Sequence, residues 1–394
     1  MAAACAALTA SNAPARASGK KYDTGASDSE IRLGQTFPYS GPGSVYGVYG
    51  RTQMAYFDEL NENGGVNGRK VRLISLDDAY STPKTVEATR RLVEQEGVLG
   101  LFASLGTANQ AAVQKYLNGR NVPQLLINSG APRWNDPGNF PWTTPGLPLF
   151  SVEGRILANY VVRNRPGAKV AVLYQNDEFG RDYLKAFRDS IGNRATIVAE
   201  AHYDLTDATI DSQMLKLVQS DATVFYNCAA SKFASQAIKK AHELNWKVLQ
   251  LLISPSNSTV ILGVAGKDAI RGIVSPQYIK QIGSKRWEND PGVLAFEALR
   301  AKRMPNITRD NSTAFLAYGV AVLMHKILER CGDDLTRRNL LRNATNLKGM
   351  VTPTLLPGIS YATVPADYSP FNAMFIGVHD GTDWRLDPDP VAAD

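Results

Sequence analysis

Short apolar runs alternate along the chain with longer segments whose apolar residues recur every three or four positions. The runs predict strands at Ile31–Thr36, Val71–Leu76, Gly100–Ala103, Gln124–Asn128, Lys169–Tyr174, Thr196–His202, Ala222–Tyr226 and Leu249–Ile253. The segments between them predict helices at Thr52–Asn63, Lys84–Gln95, Thr107–Asn118, Glu153–Asn164, Gly180–Ile191 and Lys232–Leu244. Strands that are apolar on both faces must be covered on both faces, so this rhythm points to parallel sheets flanked by helices. Farther along, Thr313–Arg330 reads as a long buried helix and Leu335–Thr345 as a shorter one. Ala373–Val378 and Thr382–Leu386 read as a hairpin turned at Asp380-Gly381.

Proline-rich breaks interrupt the rhythm at Pro141–Pro148 and Val351–Pro357, with a softer transition at Val274–Gly283. At 394 residues the chain exceeds one small core. Three breaks predict two doubly wound α/β lobes built from discontinuous segments and joined by a three-strand hinge, with a ligand cleft between them. The expected division is 31–147 with 282–351 for one lobe and 148–281 with 352–394 for the other. Two tandem domains are the alternative, but neither the last helices nor the terminal hairpin is long enough to fold alone.

Residues 1–30 are expected to be a leader remnant and flexible terminus. Met1–Ala10 is small and apolar, Ala15-Arg16-Ala17 has the form of a signal-peptidase site, and Ser18–Ser29 reads as an irregular spacer. This resembles the tail of a secretory signal without its basic start. Cys5 sits in a poor lipobox, so no lipid anchor is expected. Only Cys228 and Cys331 remain beyond that segment, too few for a disulfide framework. The 43 basic and 37 acidic residues are mixed along the chain, and no basic run points to nucleic acid. No uninterrupted apolar stretch is long enough to span a membrane.

The chemistry-bearing residues exclude several classes. His202, His242, His325 and His379 lie far apart and no ligand spacing for a metal is present. Neither a G-x-S-x-G elbow nor a P-loop occurs. Asp77 and Asp78 are adjacent on a strand and point to opposite faces, so they suit helix capping or loop amides better than paired acid–base work. The turn Gly41-Pro-Gly43-Ser-Val-Tyr-Gly47 follows a strand and precedes a helix, as a dinucleotide fingerprint would. Its spacing is wrong, and Pro42 removes an amide where pyrophosphate needs donors.

What remains are hydroxyls, glycines and free amides at successive strand ends: Ser104-Leu105-Gly106-Thr107 and Asn128-Ser129-Gly130-Ala131. Beside a helix N-terminus such groups donate where the dipole favours negative charge. Thr107 and Ser129 as plain N-caps are the alternative. Their pairing in one sheet beside the aromatic turn Tyr39–Tyr49 favours a small-ligand cleft.

With Ser40-Gly41-Pro42, Tyr46-Gly47, Gly64-Gly65-Val66-Asn67-Gly68, Asp77-Asp78 and Phe179-Gly180 in this order, the chain resembles the periplasmic solute-binding proteins of ABC importers, in the leucine/isoleucine/valine-binding branch. The resemblance spans Ile31 to Leu386. It implies a type I periplasmic binding fold, a monomer without cofactor, closing on a small solute and delivering it to an inner-membrane permease. It also implies that Tyr46 flanks the ligand, that Ser104, Leu105, Gly106, Thr107, Ser129, Gly130 and Ala131 hold a carboxylate, and that Phe179 and Tyr318 face the cleft. Amino-acid binders of this branch hold the ligand's ammonium with an acid where Ser256 stands here, and carry a tyrosine where Ala229 stands. A buried ammonium without a carboxylate partner is costly. The expected solute is therefore a carboxylate lacking an α-ammonium, an aromatic or aliphatic organic acid, unless Asp177, Glu178 or Glu153 restores the charge. A non-enzymatic transport receptor is the leading reading. A sensor of amides or amino acids, and a nucleotide-dependent enzyme, are the alternatives.

Overall fold

A computed structural model describes residues 19–393. Its first layer is a five-stranded, all-parallel sheet made of β2 (Glu30–Phe37), β3 (Lys70–Asp77), β4 (Gly100–Phe102), β5 (Gln124–Ile127) and β6 (Thr143–Pro145), in spatial order β3-β2-β4-β5-β6. Helices α1 (Gly47–Glu62), α2 (Thr82–Glu94) and α3 (Thr107–Gly119) connect successive strands and cover both faces. The second sheet runs β14-β13-β11-β10-β9-β7-β8, with β15 on the far side of β13. Its parallel part is β7 (Lys169–Gln175), β8 (Thr196–Tyr203), β9 (Val224–Cys228), β10 (Leu249–Leu252) and β11 (Val274–Gln277). The terminal strands β13 (Ala373–His379), β14 (Trp384–Leu386) and β15 (Val391–Ala392), the first two the expected hairpin, join it antiparallel and give its parallel core a mixed edge. Around it lie α4 (Phe150–Asn164), α5 (Glu178–Ile191), α6 (Asp211–Val218), α7 (Ser231–Glu243) and α8 (Thr259–Ala265).

The chain passes between the two layered bodies after β6, after β11 and before β13. After β11 it returns to the first body, where α9 (Pro291–Arg303) and α10 (Ser312–Cys331) pack on α1. Phe296, Phe315 and Tyr318 fill that contact, and Lys302 and Arg303 pair with Glu59 and Glu62 at its rim. Two of the irregular breaks contain strands: Thr143–Pro145 is the edge of the first sheet, and Val274–Gln277 is a buried strand of the second. Prolines at positions 145 and 276 hid both, because proline lowers strand propensity without forbidding an edge or strand-end position.

The alanine-rich start and Ala15-Arg16-Ala17 lie outside the described residues. The spacer after them is not irregular throughout. β1 (Lys21–Tyr22) pairs in parallel with β12 (Asp334–Leu335), just before α11 (Arg337–Ala344). Arg69 fixes this junction, donating to the Tyr22 hydroxyl at 2.9 Å and to Asp333 at 2.5 Å. A guanidinium takes two partners in one plane, which few other side chains do. Cys228 and Cys331 are buried and unpaired among the described residues.

Helices α4 and α5 approach closely because Gly154 lacks a side chain: a Cβ there would sit 2.7 Å from the Ala186 Cβ. We expect Gly154→Ala to destabilise by about 1–3 kcal/mol, although helix propensity alone favours it by about 1 kcal/mol. In the open at α8, Gly263→Ala is expected to stabilise by about 0.5–1 kcal/mol. Chemical denaturation of the two variants checks the contrast; equal effects would show that the helices do not touch there.

Candidate functional site

Each parallel sheet reverses direction at one point. In the first, β2 lies between β3 and β4; in the second, β7 lies between β8 and β9. Loops at the carboxyl ends of those strands diverge and leave a crevice, the usual ligand position in open α/β sheets. The two crevices face one another and enclose a cavity of about 110 Å³. From the first body, Tyr46, Tyr49, Tyr80, Leu105, Gly106, Thr107, Asn128 and Ser129 line it, with Ser312, Thr313 and Leu316 of α10. From the second come Phe150, Phe179, Ala230 and the run Ser254, Pro255, Asn257 and Ser258. Leu147 and Pro276–Ile279, beside two of the crossings, complete it. No charged side chain is among them.

The polar end is built at the start of α3. Its N-cap is Gly106, whose φ of +106° favours glycine and where a Cβ would lie 3.2 Å from the Tyr80 ring. No side chain caps the helix, so its first amides and the positive end of its dipole stay beside the cavity. Thr107 and Ser129 are thus not plain N-caps; their hydroxyls lie 2.7 Å apart and are buried. Proton accounting settles their direction. Ser129 Oγ accepts from the Trp134 indole at 3.0 Å and the Ala131 amide at 3.3 Å, which uses both its lone pairs. Its own proton must then go to Thr107 Oγ1, and the Thr107 proton is left for the cavity.

Tyr80 reaches the cavity from a strained loop. Ala79 and Tyr80 both have positive φ, +49° and +58°. The paired aspartates hold that strain, as loop-amide acceptors. Asp77 accepts from the Tyr39 and Ala79 amides at 2.9 Å, and Asp78 accepts from Tyr80 N–H at 3.0 Å and Thr85 Oγ1 at 2.8 Å.

The opposite wall rests on a buried carboxyl. Glu153 of α4 accepts from the Ser254 amide at 2.6 Å, the Ser254 hydroxyl at 2.7 Å and the Tyr183 hydroxyl at 3.1 Å. Burial pushes it up to about 7, against the pull of those donors. Beside it Phe150 stacks on Tyr183 at 4.2 Å and meets Phe179 edge-on at 5.4 Å, forming an aromatic wall.

Contacts bridge the cavity rim. The Tyr46 hydroxyl accepts from the Ser231 amide at 3.1 Å, Arg133 pairs with Glu178 at 2.6 Å, and Ser312 Oγ accepts from the Thr259 amide at 3.1 Å. Ser231 carries a φ of +54°, which aims its N–H across the gap. Burial raises the Tyr46 hydroxyl to about 12, so it stays protonated.

Of the residues expected at the site, the cavity wall includes Tyr46, Leu105, Gly106, Thr107, Ser129 and Phe179. The others support it from behind. Ser104 Oγ accepts from Thr36 N–H, tying two strand ends together. Gly130 accepts from Phe150 N–H and has no room for a side chain, since a Cβ would lie 1.9 Å from the Pro148 carbonyl. The Ala131 amide is spent on Ser129. Ser256 donates to the Ala229 carbonyl, and both are fully buried beneath the wall that Ala230, Ser254 and Asn257 form. Tyr318 turns away onto Tyr56 and Phe296, because the face of α10 toward the cavity is Ser312, Thr313 and Leu316. None of the three candidate acids is on the wall: Glu153 is behind it, Asp177 caps α5, and Glu178 is paired at the rim.

Sequence reasoning missed Tyr49, Tyr80, Phe150, Ser254, Asn257 and Tyr278. Tyr80 carried a signal, standing two residues after the paired aspartates at a strand end. Tyr278 carried none while β11 went unrecognised. Among the described residues no group of three or more His, Cys, Asp or Glu is placed to hold a metal, and no helix is long and apolar enough to cross a membrane.

Comparison with known proteins agrees with this geometry. The sequence profile of a family described as periplasmic binding protein matches residues 30–380. The Leu/Ile/Val-binding protein homolog 3 of Brucella melitensis biotype 1 is 24% identical over 318 residues, covering 77% of this chain and 80% of that protein. A branched chain amino acid ABC transporter from Thermus thermophilus with bound valine superposes with a TM-score of 0.81 at 18% identity, over 92% of this chain and 96% of that one. A fatty acid ABC transporter substrate-binding protein from Thermomonospora curvata gives 0.75 at 18% identity, over 95% of both chains. The two structural likenesses are of fold: two α/β bodies with parallel sheets around a shared cleft. Since the family profile spans nearly the whole of the described chain, this protein belongs to the periplasmic binding protein family, whose members bind solutes and are not enzymes.

Proposed function

We propose that this protein is the periplasmic solute-binding component of an ABC importer, closing on a small carboxylic acid that lacks an α-ammonium and passing it to a membrane permease. Residues 31–147 with 282–351 act as one lobe and 148–281 with 352–394 as the other. The observation that carries the reading is the neutral wall: no acidic or basic side chain lines the cavity. An ammonium enclosed there would lose its hydration without a direct counter-charge, which is unfavourable by several kcal/mol. A carboxylate is better served. The Thr107 proton and the uncapped start of α3 supply hydrogen bonds and a positive dipole end at one point.

Size and lining narrow the solute further. A dry cavity of roughly 150 Å³ holds benzene, so about 110 Å³ fits a short branched chain as it stands and takes a ring only with some opening of the two bodies. Tyr46, Tyr80, Phe150 and Phe179 offer such a group aromatic contact. An amino acid is the second reading. It is favoured by Glu153, whose carboxyl lies behind Ser254, and by the names of the Brucella and Thermus proteins.

Calorimetric titration with benzoate, 3-methylbutanoate, leucine and valine separates the two. We expect the acids to bind and the amino acids to bind at least tenfold more weakly; the reverse order would establish an amino-acid receptor. Thr107→Val keeps the side-chain volume and removes the donor. It is expected to weaken binding of the best acid by about 10- to 100-fold, the usual worth of a hydrogen bond to a charged group, and to lower the melting midpoint of the ligand-free protein, because the buried Ser129 hydroxyl loses its acceptor. Unchanged affinity would remove Thr107 from the site.

A further inference from the structure

On the second wall the hydrogen bonds of Ser254 and Asn257 say what those two side chains lack, whereas Ser258 Oγ accepts from the Ile261 amide and keeps its proton. Ser254 Oγ donates its only proton to Glu153 Oε2 at 2.7 Å, and the Ser254 amide is spent on Oε1 at 2.6 Å. What Ser254 presents to the cavity is therefore lone pairs. Asn257, three residues on, has the same polarity. Its Nδ2 donates to Ser275 Oγ at 3.0 Å and to the Pro276 carbonyl at 3.2 Å, which leaves Oδ1 as its free face. Between them, Ser256 is turned inward onto the Ala229 carbonyl. The first wall is the opposite, since Thr107 is left as a donor by its bond with Ser129. A buried acceptor left without a donor is costly, and a wall with two of them selects a ligand that supplies one.

We infer that the second wall is a hydroxyl-binding subsite, in which Ser254 Oγ and Asn257 Oδ1 accept from an O–H on the solute, so that the solute is a hydroxylated carboxylic acid. This rests on the carboxylate reading above. Glu153 is the positioning residue of the subsite: it touches no ligand, and it sets Ser254 as acceptor by consuming its proton. Carboxylates without a hydroxyl leave both oxygens unpaired, and methyl ethers bring a further acceptor against them.

The assignment predicts how the subsite responds to the charge on Glu153. When Glu153 is ionised, all three donors around it are satisfied. Once protonated, it has a hydrogen of its own to give to Ser254 Oγ, and the Ser254 proton turns into the cavity. The titratable groups facing Glu153 are Tyr183 from α5, Tyr226 and Cys228 from β9, and Tyr278 after β11. Burial raises all four, which keeps them neutral at ordinary pH. Glu153, held at about 7, is then the group that changes charge. Preference for a hydroxyl should be fullest above pH 7 and fall as pH drops through it.

The test is titration calorimetry of the full chain with matched probes: the three isomeric hydroxybenzoates, their methyl ethers, benzoate, the hydroxybenzamides, and the aliphatic set of 2-hydroxy-3-methylbutanoate, 3-methylbutanoate and valine. We expect one hydroxy acid to bind at least about tenfold more tightly than both its ether and its unsubstituted parent, as one buried hydrogen bond warrants. In Ser254→Ala that ratio should fall toward one. In Glu153→Gln the carboxamide N–H donates to Ser254 Oγ, so the ether should overtake the hydroxy acid, with thermal melts confirming that both variants fold. An ether or parent acid as tight as every hydroxy acid in the wild type overturns the subsite and leaves the carboxylate reading standing. A hydroxybenzamide as tight as its acid overturns the carboxylate reading and leaves the subsite. Valine as the tightest ligand overturns both.

Discussion

Parallel strand pairing is the constraint on which this molecule depends. It puts the carboxyl ends of all strands in a parallel run on the same edge, so loops distant in sequence are delivered to one place. Because β2 and β7 each have neighbours whose connections leave in opposite directions, the loops part there and a crevice must open. Two such edges facing each other make a cavity without any further device. The turn after β2 brings Tyr46, the turn after β3 brings Tyr80, and the turns after β4 and β5 bring Thr107 and Ser129. The second sheet adds Phe179, Ala230 and Ser254 by the same rule.

The cavity's chemistry is then decided by protons rather than by charges. Thr107, Ser129, Ser254 and Asn257 are common polar residues, and each is ambivalent in isolation. What makes them directional is the partner each already has: an indole and an amide on Ser129, a carboxyl on Ser254, a carbonyl and a hydroxyl on Asn257. A ring of neutral groups thereby acquires donors and acceptors at fixed points. On the proposed reading, such a site holds an anion by hydrogen bonds and a helix dipole, without the desolvation that a buried lysine or arginine would bring.

Much of the fold was legible in the sequence because strands buried on both faces, and helices with one apolar face, impose strong periods. The strands and helices from Ile31 to Leu244 stand where the pattern places them, apart from α6 and β6. The elements that escaped had weak periods. β11 contains Pro276, β6 ends at Pro145, and α8 and α9 follow stretches rich in serine, glycine and charge. The structured start at Lys21–Tyr22 escaped because its partner, β12, is more than three hundred residues away.

Residue types and their positions after strands were enough to point to Tyr46, Leu105, Gly106, Thr107, Ser129 and Phe179, all of which line the cavity. They were not enough to separate a residue on the wall from its neighbour beneath it. Ala230 lines the cavity and Ala229 does not; Ser254 and Asn257 do and Ser256 does not. A turn of one residue reverses the side a chain presents, and no local pattern fixes that turn. Glu153 shows the same divide. The sequence holds a glutamate early in a helix, an ordinary surface position by composition. Only the packing of α4 against the second sheet buries it under Ser254, and that burial gives it a role. The sequence alone determined two α/β bodies, their strand-end loops and the absence of metal or nucleotide motifs, because these follow from local periodicity and spacing. Which side chains meet in the cleft, and which way their protons point, was decided by tertiary contacts between segments that no short stretch of sequence contains.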